Sequence, residues 1–378
     1  MAPVRVAIIG LSQSAKTSWA SVAHLPYLLS DRGRERYQIK ALLNSSVEAA
    51  QRAIEFYKLP SNTKAYGSPA ELAADKDIDL VVCTTRVDVH YDTIKPSVEA
   101  GKAVFVEWPL AENAMRAEEL SKLAKQSGSE TIIGLQARVA PAVATLKNLL
   151  HGGELGKVLS SSVQAFTPMG NRSSISEGLG YFLDKKVGGN PITIAFGHMI
   201  DFVHSALGEY VTSNSHVQIQ RPHQRIVNRK TGDERPYISD VPDLVSVHGT
   251  LQSSSIVAAG ASLLFNFRTG PPFPGTVPFT WDISCEKGEI RVSSERGPFL
   301  QSESNMHPIL IEALSFSDGK VSRFDWQWED WQEDLPARGR SVAKLYDLYA
   351  GGLLARDECA TFESAVVRHR QLDKILYG

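Results

Sequence analysis

Apolar positions in the first third of the chain occur in two arrangements. Short, mostly apolar runs stand at Val4–Ile9, Gln38–Leu43, Asp79–Cys83, Ala103–Val106 and Thr131–Leu135. Runs of this length and density suit strands covered on both faces, as in a parallel sheet. Between them, residues 15–29, Ser46–Tyr57, Ser68–Ala74, His90–Ala100 and Ala111–Gln126 space their apolar residues helically. Strand and helix alternate with short connections, which predicts a doubly wound parallel sheet. From Lys157 the pattern changes. Val158–Phe166 alternates, as a strand with one covered face does. Gly188–Leu207 predicts one helix, and strands are expected at Ser215–Gln220, Leu244–Leu251, Ser255–Phe265, Phe279–Cys285 and Glu289–Ser293. The second half is therefore expected to be an α+β domain with an open, mostly antiparallel sheet. The expected division is 1–135 and 136–378, with the closing helices free to pack back on the first domain.

A length of 378 residues agrees with two cores. Charge is nearly balanced, 40 Lys and Arg against 42 Asp and Glu, so no global field draws the chain to nucleic acid or an anionic membrane. Cys83, Cys285 and Cys359 lie too far apart for a disulfide framework or a zinc knuckle. No metal site is expected. The first apolar run begins at Val4, leaving no room for a signal peptide, and no run approaches the ~20 residues of a membrane helix. The expectation is a soluble protein of a reducing compartment, the cytoplasm.

Doubly wound sheets bind ligands where the first strand turns into a helix N-terminus. That turn reads Gly10-Leu11-Ser12-Gln13-Ser14-Ala15, against the dinucleotide pattern G-x-G-x-x-G/A. Gly10 suits the tight turn and Ala15 the helix–strand packing. Ser12 replaces the middle glycine, and it and Ser14 offer hydroxyls to a phosphate. The second strand ends in Asn44-Ser45-Ser46 without a carboxylate. An acid there would hold a ribose 2′-hydroxyl and repel a 2′-phosphate. Three neutral donors predict that NADP(H) is accepted and preferred, with NAD possible. Capping of the next helix by Ser45 or Ser46 is a parallel use of the same hydroxyls.

Several segments follow one another in a family order: Thr84-Thr85-Arg86 with His90, Glu99–Lys102, Val106-Glu107-Trp108-Pro109-Leu110-Ala111, Gly134–Arg138, Gly153–Val158, Gly197-His198-Met199-Ile200-Asp201 and Thr361–Ala365. Over nearly its whole length the chain resembles the Gfo/Idh/MocA oxidoreductases. The resemblance implies a Rossmann domain followed by a substrate-binding and oligomerisation domain. It also implies a homodimer or homotetramer assembled through the C-terminal sheet and a small-molecule substrate in the interdomain cleft. Phe196-Gly197-His198, Val241-Pro242-Asp243 and Gly249-Thr250-Leu251 resemble the branch around the yeast galactose-regulon repressor.

The family junction is Glu-Lys-Pro, and its lysine moves a proton. Trp108 stands in that place, and indole does not titrate near neutrality. The aspartate expected four residues before His198 is Ile194. Biliverdin reductases also carry an aromatic residue at the lysine position and still reduce their substrate. Trp108 is therefore expected either to shape a pocket against a planar substrate or simply to fill space. His198 is the expected proton or hydrogen-bond donor, with Tyr181 in reserve. Tyr181 and Lys185 are expected at the substrate. The resemblance assigns Glu107 to the nicotinamide ribose or amide and Thr84, Thr85 and His90 to the cofactor. Arg86 and Arg138 are further cofactor candidates, Arg86 with the alternative of pairing with Asp88. Two readings follow: an NADP(H)-dependent oxidoreductase acting on a C=O, C=N or conjugated C=C bond, or a non-catalytic NAD(P)-binding regulator.

Overall fold

The structure is a computed structural model that describes residues 2–15, 17–167, 171–302, 308–353 and 359–377. The chain divides into two units. One comprises residues 1–136, 186–189 and 329–370; the other comprises 137–185, 190–328 and 371–378.

Among the described residues, the first unit is built on a parallel sheet of β1 (Val4–Ile9), β2 (Tyr37–Leu43), β3 (Lys64–Tyr66), β4 (Leu80–Cys83), β5 (Ala103–Val106) and β6 (Thr131–Ile133), in the order β3-β2-β1-β4-β5-β6. Val6, Ala7, Ile8, Val81, Val82, Val104 and Phe105 are fully buried, which explains why these strands read as solid apolar runs. The strand order reverses between β1 and β4, opening the crevice where such sheets take their ligands. Ser46, Ser68 and Asn113 cap the helices Val47–Phe56, Pro69–Ala74 and Ala114–Ser127 with side-chain acceptors.

The helix expected over residues 15–29 begins instead at Ala20. It runs as one wide turn, Ala20–His24, and then as Leu25–Leu29; Lys16 lies outside the described residues. Pro26 lacks the N–H that would continue the regular ladder, and the register widens just ahead of it. The helix Asp31–Arg36 and strand β3 escape a periodicity reading because the first has no apolar stripe and the second spans three residues.

The second unit holds a mixed, largely antiparallel sheet. Its strands are β7 (Val158–Thr167), β8 (Ser174–Ser176), β9 (Tyr210–Gln218), β10 (His223–Val227), β11 (Glu234–Ile238), β12 (Leu244–Leu251), β13 (Val257–Thr269), β14 (Phe279–Cys285), β15 (Gly288–Ser294), β16 (Ile309–Ser315) and β17 (Val321–Arg323). The main sheet runs β17-β16-β15-β14-β7-β13-β12-β9, with β7 and β13 parallel, and β11-β10-β8 form a separate small sheet. The long helix expected over 188–207 is a π-type turn, Pro191–Phe196, running into the α-helix Gly197–Leu207. Asn190 starts it with a reciprocal capping box to Thr193. Phe196 and Phe202 lock the helix to the sheet, with ring centroids 5.0 Å from Phe265 and 5.9 Å from Trp281. Among the described residues no helix is long and apolar enough to cross a membrane.

Candidate functional site

Gly10 closes β1 in the left-handed region, at φ 97°. A Cβ there would lie 2.8 Å from Thr85 Cγ2 and 3.2 Å from Thr84 Oγ1. Glycine is therefore required both by backbone conformation and by the approach of the β4 end. Thr84 Oγ1 donates to the carbonyl of Ile9 at 2.8 Å, tying the two strand ends together across the switch point. Ser12 Oγ accepts from Ser14 N at 3.2 Å and lies 3.0 Å from Ser14 Oγ. With Gln13 and Ser14 exposed, the turn presents hydroxyls that can exchange this mutual bond for a phosphate oxygen. The donor set therefore fits a dinucleotide pyrophosphate. Ala15 N bonds back to Ser12 O at 3.2 Å and completes the turn.

The three residues expected to read a 2′-phosphate behave differently from one another. Asn44 Nδ2 donates to Leu11 O at 2.9 Å and so holds the first turn rather than facing outward. Ser46 accepts from Ala49 N at 3.2 Å as the helix cap. Its hydroxyl also bonds Glu48, which holds that carboxyl below the usual range. Ser45 is exposed. The end of β2 thus carries one exposed neutral donor with a carboxylate nearby.

At the β5 end the Trp108–Pro109 peptide is cis. Glu107 is buried, and its Oε1 accepts from His24 Nε2 at 2.8 Å. With that donor on Nε2, His24 Nδ1 accepts a hydrogen bond from the Tyr346 hydroxyl at 2.9 Å. Burial raises the Tyr346 hydroxyl well above its ordinary range and so keeps it a donor. Behind Glu107, any Cβ at position 134 would stand 2.5 Å from its Oε2, so Gly134 leaves the room the carboxylate occupies. Trp108 is only 5 % exposed. Its ring lies 4.8 Å from that of His369 on the helix Phe362–Tyr377. Burial pushes the His369 pKa down to about 3, so the ring is neutral. Its Nε2 has no hydrogen-bond partner among the described residues.

The structure gives the other expected site residues the following partners. Trp108 is buried with an imidazole packed against it, an arrangement in line with the space-filling alternative. His90 is buried, its ring nitrogens lie 2.8 Å from Thr85 O and 2.9 Å from Pro109 O, and burial lowers its pKa. Arg86 is clamped to Asp88 at 2.6 and 2.5 Å. Arg138 belongs to the second unit, where it grips buried Asp201 through two bonds of 2.8 and 2.7 Å. Asp201 is three residues from His198 on the same helix, so this fork fixes the helix that carries the histidine. His198 is 8 % exposed. Tyr181 packs edge-on to Phe182 at 4.7 Å, beside a small core of Ile175, Phe182, Leu183 and Ile226. Lys185 Nζ lies 3.8 Å from the centroid of Tyr377. Between β7 and the helix that carries His198, the chain forms β8 and the 3₁₀ turns Glu177–Leu183 and Lys185–Val187. Pro168–Gly170 lie outside the described residues.

In the first unit the fold therefore gathers Gly10, Ser12, Ser14, Thr84 and Thr85 at the switch point, and Glu107 with Trp108 at the β5 end. His24, Tyr346 and His369 complete the second group. Each lies within a helical stretch, distant in sequence from Glu107, and no local pattern distinguishes them.

A family model described as the oxidoreductase family with an NAD-binding Rossmann fold matches residues 4–135. A second, for the C-terminal domain of Gal80p, matches residues 141–294. The chain is 30% identical to dehydrogenase aclE of Aspergillus oryzae, over 99% of this chain and 95% of that one. It is 28% identical to the galactose/lactose metabolism regulatory protein GAL80 of Saccharomyces cerevisiae, over 78% of this chain and 68% of the relative. Among solved structures, a super-repressor mutant of that Gal80p superposes with a TM-score of 0.85 at 23% identity, covering 100% and 96% of the two chains. Levoglucosan dehydrogenase in complex with NADH and L-sorbose superposes with a TM-score of 0.76 at 18% identity, again covering 100% and 96%. At these identities the structural likeness concerns the fold.

Proposed function

This chain belongs to the oxidoreductase family with an NAD-binding Rossmann fold, and from that premise we propose that it is a nicotinamide-dependent dehydrogenase or reductase of a small substrate. The observation that carries the reading is the turn at the switch point. Gly10 is held left-handed against Thr84 and Thr85, and the Ser12 and Ser14 hydroxyls flank it. When bound, the dinucleotide supplies hydride exchange at nicotinamide C4 with a C=O, C=N or conjugated C=C bond of the substrate.

In this reading Ser12 and Ser14 bind the pyrophosphate, and Ser45 meets the adenosine ribose. Glu107, oriented by His24, accepts a hydrogen bond from the nicotinamide ribose or amide. Trp108 and neutral His369 exclude water. His198 is the donor to the substrate heteroatom, its helix fixed by Arg138 and Asp201, with Tyr181 and Lys185 as further substrate contacts. One exposed serine beside Glu48 supports weak discrimination between NADP(H) and NAD(H), in place of a strong NADP preference. We also assign a homodimer contact to the outer sheet face bearing Ser162 and Gln164 of β7 and Ser262 and Leu264 of β13. Leu264→Arg should halve the mass measured by sedimentation, and an unchanged mass would remove that assignment.

One observation favours a second reading, a cofactor-sensing regulator. The position where the family lysine works is occupied by an indole covered by His369. Two experiments separate the readings. The first titrates the protein with NADPH and NADH. The second follows the reduced-nicotinamide absorbance band with panels of sugars, ketones, imines and enones. Cofactor oxidation that falls at least tenfold in His198→Ala supports the enzyme. Binding of both cofactors without turnover on any panel supports the regulator.

A further inference from the structure

We propose that Arg172, Arg221 and Arg268, converging in the second unit, form a binding site for the oxyanion group, carboxylate or phosphate, of a small ligand. The three come from separate places in the chain: just before β8, between β9 and β10, and the end of β13. The fold brings them to one spot. Arg172 Nη2 and Arg268 Nη2 donate to the same acceptor, Pro271 O, at 2.8 and 3.2 Å. Arg221 and Arg172 line a cavity of about 40 Å³ together with Ser174, Gln224 and Asp243. That space suits a carboxylate or phosphate group and is too small for a whole sugar ring.

The charge balance is what needs an explanation. Arg172 and Arg268 have no carboxylate within ion-pair distance among the described residues. They lean on backbone carbonyls, and Arg268 also lies 4.8 Å over the Phe166 ring. Asp243 is the one acid lining the cavity. Its oxygens already accept from the backbone N–H of Gln220 at 2.6 Å and of Arg221 at 3.0 Å, and it stands 3.9 Å from Arg221 Nη1. Two fixed positive charges, Arg172 and Arg221, thus line the cavity with one committed negative charge, and a third, Arg268, stands beside them on the carbonyl it shares with Arg172. Burial lowers the Arg268 pKa, and Arg172 and Arg221 lower it further against the opposing pull of Asp243, the direction expected of like charges held together. A purely structural cluster would place a carboxylate between the forks. Guanidinium groups with donors to spare at the polar side of a small cavity, whose other side is Ile175, Phe182, Leu183 and Val241, match the planar geometry of an oxyanion.

The site is separate from the Gly10 turn and does not depend on the redox reading. Its test uses the full chain and isothermal titration at constant ionic strength with inorganic phosphate, with malonate and with chloride. We expect one saturable site for phosphate or malonate and none for chloride, weakened at least tenfold in Arg172→Gln and in Arg221→Gln. A response to phosphate alone identifies a phosphoryl ligand, and a response to malonate alone a carboxylate ligand. Thermal melts guard against misfolded variants. Without anion, Arg172→Gln should melt no lower than wild type, because a repelling charge is removed; with saturating anion only the wild type should gain. Absence of saturable binding by either oxyanion overturns the proposal. So does equal binding in wild type and both variants, which would place the anion elsewhere, the Gly10 turn included.

Discussion

Gly10 and the Glu107–His24–Tyr346 chain are where single residues decide most. Gly10→Val adds a side chain at φ 97° into atoms 2.8 Å away. We expect a loss of about 1–3 kcal/mol in folding stability, with cofactor binding falling at least tenfold, read by urea melts and fluorescence titration. Wild-type affinity in this variant would remove the turn from the cofactor site. His24→Ala strips a buried carboxylate of its donor and should cost about 1–3 kcal/mol. Adding Glu107→Gln to it should cost less than the two single changes summed, since the pair acts as a unit. Strict additivity in a double-mutant cycle would contradict the coupling. Glu107 was legible as a site residue from its tripeptide. His24 was not, because its partner lies at 2.8 Å in space and 83 positions away in the chain.

At the level of elements, strand and helix periods explain most of what was expected. β1, β5, β12 and β14 match the runs read from the sequence because each buries consecutive or alternate positions along most of its length. β10 and β11 were missed for the opposite reason: most of their residues are exposed or half-buried, so no alternation marks them. Local chemistry also sets the helix starts. Ser46→Ala should cost about 1 kcal/mol by removing the acceptor for Ala49 N, measured as a shift in the urea midpoint. If Ser46 also serves a cofactor phosphate, NADPH affinity should fall while NADH affinity holds. An equal change for both cofactors would leave it a cap alone. The same hydroxyl supports both roles, which is why the sequence left them open.

Across the whole molecule, buried neutral histidines predict a pH response. His369 and His90 have folded pKa values below the ordinary ~6.5, His369 at about 3. As pH falls below ~6.5 the unfolded chain takes up their protons and the folded chain does not. Stability is therefore full above that point and is lost on acidification, for His369 toward pH 3 at up to about 1.4 kcal/mol per pH unit, with His90 acting in the same direction. Asp79, held down first by Arg5, adds to the loss only below the carboxylate range. His369→Phe keeps a ring against Trp108 and removes one titration. Its stability should drop less than wild type between pH 7.5 and 5.0, and an equal drop would show that His369 does not titrate as its burial implies.

The sequence by itself determined the parallel sheet, the change to a largely antiparallel sheet near residue 157, the glycine turn and the place of Glu107-Trp108-Pro109. All of these rest on local periods, on backbone conformations that few residues adopt, or on contiguous motifs. Only the tertiary structure decided the partners. It engaged Arg138 with Asp201, His90 with two carbonyls and Asn44 with the first turn, laid His369 over Trp108, and drew Arg172 and Arg221 to one cavity with Arg268 beside it. Hydrogen bonding, desolvation and charge proximity act through space over a few ångströms. Residues brought together by the crossing of distant strands and helices leave no periodic trace in the chain.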